Sequence, residues 1–357
     1  MSDAASTAAD AEMSEVRDAH RFDVKKLEAY ARDAVKGFTG TLDVLQFSGG
    51  QSNPTFLLTE NKSSGVKRYV MRKKPPGVLL ASAHQIDREY RVMKALEQTD
   101  VPVPHMYALC EDDSVIGTSF YIMEYLEGRV FRDSSLPECS AEERKALYSN
   151  MAENLAKLHK VDYEAVGLGD FGKPGNYFER QIGRWIKQYR GAQTTDVPSM
   201  EALIKYLPEH IPNEQSVTIA HGDYRIGNVM FHPTKPEMIA VLDWELCTIG
   251  HPFADVAYNC MYDFLGVASS ATKIDRSVTP GIPTDKEFVA DYCRFAGRDG
   301  IEDWNFYLAF SMFRLASISQ GVYKRGLDGN ASSDRAKTLV DACATLANAA
   351  WDIAQKD

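Results

Sequence analysis

No two of the six cysteines, at 110, 139, 247, 260, 293 and 343, form a Cys-x-x-Cys pair. That leaves neither a zinc-ribbon spacing nor a disulfide framework, so reduced thiols and a cytoplasmic setting are expected. Positive charge is also in short supply, since 40 Lys and Arg face 50 Asp and Glu for a net charge of −10. A surface that binds nucleic acid by displacing phosphate counterions is therefore not expected. No run reaches the roughly 20 apolar residues that span a bilayer, which excludes membrane embedding. The opening stretch MSDAASTAADAEMSEVRDAH has neither a basic start nor an apolar run. It is expected to be a disordered acidic tail over residues 1–20 and not a targeting peptide. What remains is ordinary globular composition, 44% hydrophobic and 25% charged, in 357 residues, enough for two lobes.

The patterning changes along the chain. Residues 22–35 carry apolar positions at helical spacing, and 42–74 read as a three-stranded meander with glycine turns. Ile86, Tyr90, Met93 and Leu96 form one stripe of a helix over 83–98. Two further strand-like runs, VPVPHMYALCEDD and TSFYIMEYLEG, follow. From Ser140 the texture is helical. Ser140 and Glu143 stand at capping-box spacing, and Leu147, Met151, Leu155 and Leu158 form the buried stripe behind them. Helices are also expected near 178–190, 285–297, 303–324 and 333–353. The exception is NVMFHPTKPEMIAVLDWE, residues 228–245, which reads as a strand, a Pro-bearing turn and a strand.

Chemistry concentrates in HGDYRIGN (221–228) and in AVLDWE (240–245) on the returning strand. A carboxylate after a strand, a carboxamide five residues on and a second carboxylate ending the next strand form the set that phosphoryl transfer needs. One carboxylate accepts the proton of an attacking hydroxyl, while a carboxamide and a carboxylate hold Mg²⁺ on the nucleotide phosphates. Asp223 is then the base, with Asn228 and Asp243 as metal ligands.

HGDxxxxN followed by a hydrophobic strand into LDWE resembles the aminoglycoside phosphotransferase and choline kinase group, within the protein-kinase-like fold. The resemblance covers about residues 22–325 and implies an α+β, two-lobe architecture that binds ATP. A small antiparallel-sheet N-lobe spans 21–123, a hinge 124–128, and a larger, mostly helical C-lobe 129–357. FSGGQSNPTF takes the place of the loop over the phosphates, so Ser48, Gly49, Gly50, Gln51, Ser52 and Asn53 are nucleotide-binding candidates. Arg72 stands where the group presents a lysine to the phosphates, with Glu89 steadying it. An arginine can fill that role as a permanent, forked cation, and Lys73 faces the other side of the strand. Met123, Glu124 and Leu126 match the run whose main chain meets the adenine edge. Arg225 matches the cation that stabilises the transferred phosphoryl group. His221 and Asp255 match struts of the catalytic loop.

The short interval between Asp243 and Asp255 leaves no room for a long activation segment, and glycine stands at 222 where protein kinases carry an arginine that reads activation-loop phosphate. A constitutive small-molecule kinase is expected. RKKPPG, AHQIDREYRVMKAL and HGDYRIGNVMFHP extend the likeness to kinase-like domains fused to acyl-CoA dehydrogenases and to their stand-alone bacterial relatives. That likeness implies a small hydroxyl acceptor resembling a hydroxyacyl-CoA more than an aminoglycoside. Two other readings use the same residues. One is a hydrolase with a metal on His221, Asp223, Asp243 and His251. The other is a pseudokinase that binds nucleotide without turnover. His84, His105, His159, His210 and His232 have no ligand spacing and are expected to be ordinary surface or loop residues, and Trp185 a core residue.

Overall fold

The computed structural model of the chain describes residues 13–48, 53–75, 85–264, 274–329, 336 and 339–356. The first part of the chain runs β1 (Met13–Ser14), α1 (Val24–Ala34), β2 (Thr41–Phe47), β3 (Thr55–Lys62), β4 (Gly65–Lys73), α2 (Ile86–Leu96), β5 (Met106–Cys110), α3 (Asp113–Ile116) and β6 (Phe120–Glu124). Then come α4 (Ala141–Lys160), α5 (Tyr177–Ala192), α6 (Pro198–Glu209), β7 (Thr218–Ala220), β8 (Val229–Phe231), β9 (Met238–Val241) and β10 (Thr248–Gly250). The chain ends with α7 (Pro252–Cys260), α8 (Asp285–Ala296), α9 (Trp304–Leu327) and α10 (Ala342–Ala354). Two compact units result, one of Met1–Val130 with Asn228–Cys247, the other of Phe131–Gly227 with Thr248–Asp357.

The first unit is built on a six-stranded sheet in the order β1-β2-β3-β4-β6-β5, with every pairing antiparallel. The expected meander is β2 to β4, with a tighter second turn than expected, because Lys62 pairs with Gly65. Strand periodicity divides the side chains between two faces. Met71, Phe120 and Ile122 join Leu27 and Ala31 of α1 in one core. Each of the larger side chains among them, Leu27, Met71, Phe120 and Ile122, contributes about 2 kcal/mol. Arg72 and Tyr121, one residue along, point the other way and reach Glu89 of α2. Residues 13–20, placed by composition in a disordered tail, carry structure instead. Met13 and Ser14 pair with Phe47 and Gln46, and Asp18–His20 form a 3-10 turn. Gln46 secures that turn by accepting from the Arg17 amide and bonding the His20 ring.

The second unit is helical apart from the short β7–β10 pair. Leu147, Met151, Leu155 and Leu158 are fully buried along α4, as their spacing predicts. Ser140 caps α4 by accepting from the Glu143 amide, and its hydroxyl donates to Glu142. A reciprocal capping box sits at Thr284 and Glu287 on α8. All six cysteines are buried free thiols. Among the described residues no helix is long and apolar enough to cross a membrane.

Where α5, α7 and α9 meet, the His251 ring packs among Phe178, Phe253 and Tyr307. Its Nδ1 accepts from the Phe253 amide and so caps α7. Burial pushes the imidazole down from 6.5 to about 4, against the opposing influence of Glu214. The folded state thus binds this proton less readily than the unfolded chain does. The resulting stability is complete above pH 6.5 and is lost as pH falls towards about 4, a change worth about 3 kcal/mol. Urea unfolding of the wild type and of His251→Asn, which keeps a capping acceptor, checks this between pH 7.5 and 4.5. The variant should lose about 3 kcal/mol less over that interval, and parallel curves would refute the assignment.

Candidate active site

Arg72 is the centre of the first unit's site. Its register on β4, opposite Thr55 and Tyr121, turns the guanidinium to the α2 side. One arm meets Glu89 at 3.1 Å; the other meets Asp243 at 3.0 Å and lies 3.8 Å from Glu245. Burial works against the Arg72 charge, yet Glu89, Tyr121 and Asp243 outweigh it and raise the pKa. Burial also pushes the Glu89 carboxyl up to about 7 against the pull of the guanidinium, with Asp243 adding to the rise. Tyr121 and Asn53 complete the Glu89 shell, donating at 3.0 and 2.8 Å. Lys73 lies on the other face, over the rings of Phe22 and Phe56.

Asn228 and Asp243 are brought together by the β8–β9 hairpin, in which Val229 pairs with Val241. The Leu242 amide donates to the Asn228 carbonyl at 2.8 Å, leaving Asp243 as the next residue. Asp243 adopts φ 64°, in the left-handed region, which aspartate tolerates better than most residues. Trp244 behind it is buried and donates from Nε1 to the Val241 carbonyl. That anchor holds the bend which turns Asp243 towards Arg72.

The other candidates of this unit are placed differently. Asn53, expected at the phosphates, is fully buried with its amide on Glu89. Ser48 is exposed after β2, and Gly49, Gly50, Gln51 and Ser52 lie outside the described residues. Met123 and Glu124 end β6. The Glu124 amide is committed to the His105 carbonyl and its carboxylate to the His105 amide. Leu126 is half-buried just beyond.

In the second unit, Asp223 sits on a loop leaving β7. His221 is fully buried, Gly222 takes φ 84°, and the Asp223 amide donates to His221 Nδ1 at 3.2 Å. The fully buried Asp255, in the first turn of α7, accepts from the His221 and Gly222 amides at 2.6 and 2.8 Å. Burial pushes this carboxyl up, but His159, His221 and the Gly222 amide outweigh it and hold it below the usual range. Tyr224 closes the loop by donating to the Met151 carbonyl of α4. Arg225 Nε lies 3.4 Å from Asp223.

His159 corrects an expectation. Read as an ordinary surface or loop residue, it has a buried side chain that meets Asp255 at 3.3 Å and the Tyr292 hydroxyl at 2.9 Å. Its one sequence signal is its place at the end of the apolar α4 stripe. The metallohydrolase alternative is not supported, because His251 caps α7. Among the described residues no group of three His, Cys, Asp or Glu is placed to hold a metal. Asn228 and Asp243 are a different kind of set, since hard oxygen donors of this number suit Mg²⁺ when phosphate oxygens complete the shell.

Asp223 and Arg225 also line a cavity of about 380 Å³ with Arg132, Tyr258, Tyr262 and Phe288. A volume of that size suits a small organic ligand.

A six-stranded antiparallel sheet unit and a helical unit carrying an anchored carboxylate loop define a kinase-like α+β protein. Residues 43–304 match the model of the phosphotransferase enzyme family, and the chain belongs to that family. It is 46% identical to mouse acyl-CoA dehydrogenase family member 10 over 94% of this chain and 32% of that protein. A putative aminoglycoside phosphotransferase from Ralstonia eutropha is 50% identical at a TM-score of 0.85, covering 94% of this chain and 99% of that one. Choline kinase from Cryptosporidium parvum shares the fold at a TM-score of 0.60 and 14% identity, over 92% of this chain and 94% of that one. The chain spans 32% to 45% of the length of the acyl-CoA dehydrogenase relatives it matches.

Removing the Arg72 cation leaves Glu89 buried beside Asp243 without its counter-charge. Arg72→Met should therefore cost about 3 kcal/mol in chemical unfolding. Adding Glu89→Gln in the same chain should recover a good part of that loss, and an additive double variant would show that the pair is not coupled.

Proposed function

We propose that the protein is an ATP- and Mg²⁺-dependent phosphotransferase that moves the γ-phosphoryl group to a hydroxyl of a small molecule. The observation that carries this reading is the Asp223 carboxylate at the wall of the 380 Å³ cavity, on a loop whose backbone is tied to buried Asp255. Asp223 orients the acceptor hydroxyl and takes its proton as the oxygen–phosphorus bond forms and ADP departs. Arg225 offsets negative charge that builds on the transferred group. Asn228 and Asp243 would hold Mg²⁺, which would offset negative charge on the nucleotide phosphates. Arg72 and residues 48–52 serve the phosphates. The main chain of Met123, Glu124 and Leu126 meets the adenine edge. His221 and Asp255 are structural supports of the loop.

The acceptor is a neutral or anionic hydroxy compound, with a hydroxyacyl-CoA-like alcohol as the leading class. Identity with acyl-CoA dehydrogenase relatives supports this. So does the cavity lining, where Arg132 and Arg225 balance Asp133, Asp223 and Asp285 nearly evenly. A polycationic aminoglycoside would favour a strong acidic excess. One observation favours the pseudokinase alternative: Arg72 already engages Asp243, so a metal ion must displace or share that contact.

The test is a metabolite extract incubated with Mg-ATP and searched for compounds that gain the mass of a phosphoryl group. The wild type should produce at least one. Asp223→Ala should lose at least about a hundredfold in turnover while binding ATP as before. No phosphorylated product from the wild type, or undiminished turnover in the variant, would defeat the proposal.

A further inference from the structure

Arg314 is a cation in the apolar run NFYLAFSMFRLASIS of α9, 92 positions from the loop that carries Asp223. Its residue is 7% exposed. A buried guanidinium is costly unless its donors find acceptors. Here one arm donates to the Gly222 carbonyl at 2.7 Å, within a buried contact. The charge also lies over two ring faces, 5.1 Å from Tyr258 and 5.6 Å from Trp185, where a cation is attracted to the π electrons. Trp185 is thus a core residue that also supports this cation.

The acceptor chosen by Arg314 has a chemical consequence. The Gly222 carbonyl and the Asp223 amide belong to one rigid peptide plane. Arg314 holds the carbonyl end, and His221 Nδ1 holds the amide end at 3.2 Å. The preceding peptide is held in turn by Asp255, through the Gly222 amide at 2.8 Å. With both polar ends of the plane engaged, the position of the Asp223 Cα and the N–Cα bond from which its side chain branches are held in place. Hydrogen bonds at the two ends of one peptide also polarise each other, and a charged donor does this more strongly than a neutral one.

We infer that Arg314 is the positioning residue for Asp223: its guanidinium clamps the Gly222 carbonyl and so fixes the carboxylate at the wall of the cavity. This role rests on Asp223 acting as the base in the proposed reaction, whereas the clamp itself is a property of the fold. A merely structural arginine would stabilise the unit as a whole. A positioning arginine governs one peptide plane and the rate of the step made there.

The experiment compares wild type with Arg314→Lys, Arg314→Gln and Arg314→Met in two measurements. The first is hydrogen exchange at the Gly222 and Asp223 amides, with α4 residues 151–158 as an internal reference. The second is ADP release from Mg-ATP, with the metabolite extract as acceptor and with water alone. Arg314→Met should speed exchange at the two loop amides at least tenfold with the α4 reference unchanged. It should also lower kcat at least a hundredfold while KM for ATP stays within threefold. Arg314→Lys should recover at least tenfold of that kcat, and neutral Arg314→Gln less than lysine.

Equal acceleration of loop and reference amides would overturn the inference, as would kcat within threefold of wild type in Arg314→Met, or lysine no better than methionine. If Arg314→Met does not fold, lysine and glutamine decide: lysine ahead of glutamine in kcat supports the clamp, and equality overturns it. If wild type releases no ADP, the proposed function fails separately, and the exchange measurement alone judges the clamp.

Discussion

Asp255 is a carboxylate with no access to solvent, and the architecture around Asp223 depends on how its charge is satisfied. Two backbone amides of the loop, from His221 and Gly222, and the ring of His159 share its oxygens. A buried carboxylate without such donors would take up a proton. With them it stays charged, and its position in the first turn of α7 adds the favourable end of a helix dipole. The same contacts that keep Asp255 ionised remove the freedom of the backbone just before Asp223. The proposed function and the stability of this unit therefore rest on one cluster, in which helices α4 and α7 grip a loop that has little regular structure of its own.

The sheet-bearing unit works by the same logic with the opposite charge. Arg72 is one cation shared by Glu89, Asp243 and the more distant Glu245. A planar guanidinium can serve two carboxylates in different directions, which a lysine ammonium on a flexible stem does less rigidly. That geometry accounts for an arginine at a position where the resemblance leads one to expect lysine. It also means that Asp243 is held in place by the fold itself. The β8–β9 hairpin supplies the other constraint, since a short antiparallel ladder sets Asn228 across from the residue preceding Asp243.

Much of this was legible in the linear pattern. Period-two alternation placed Arg72 and Lys73 on opposite faces of one strand, and the helical spacing of Leu147, Met151, Leu155 and Leu158 foretold a buried α4. The spacing of Asp223, Asn228 and Asp243, with a hydrophobic strand between, points by itself to phosphoryl transfer. Such features are local, and local spacing follows from the fixed geometry of helix and strand. Asn53 was read less well: its place in a small-residue turn suggested phosphate contact, and burial turned it towards Glu89 instead.

By itself, then, the chain of residues determined most of its elements, its membership of the phosphotransferase enzyme family and the carboxylates and carboxamide that carry the proposed chemistry. Tertiary structure alone decided which distant groups hold those residues still. His159 reaches Asp255 across 96 positions and Arg314 reaches Gly222 across 92, and the order β4-β6-β5 places β6 between two strands that precede it. No periodicity encodes such contacts, because they come from the packing of whole helices and strands and not from the geometry of neighbouring residues. A histidine at the end of a stripe and an arginine inside an apolar run look incidental until the backbone groups they satisfy are brought beside them.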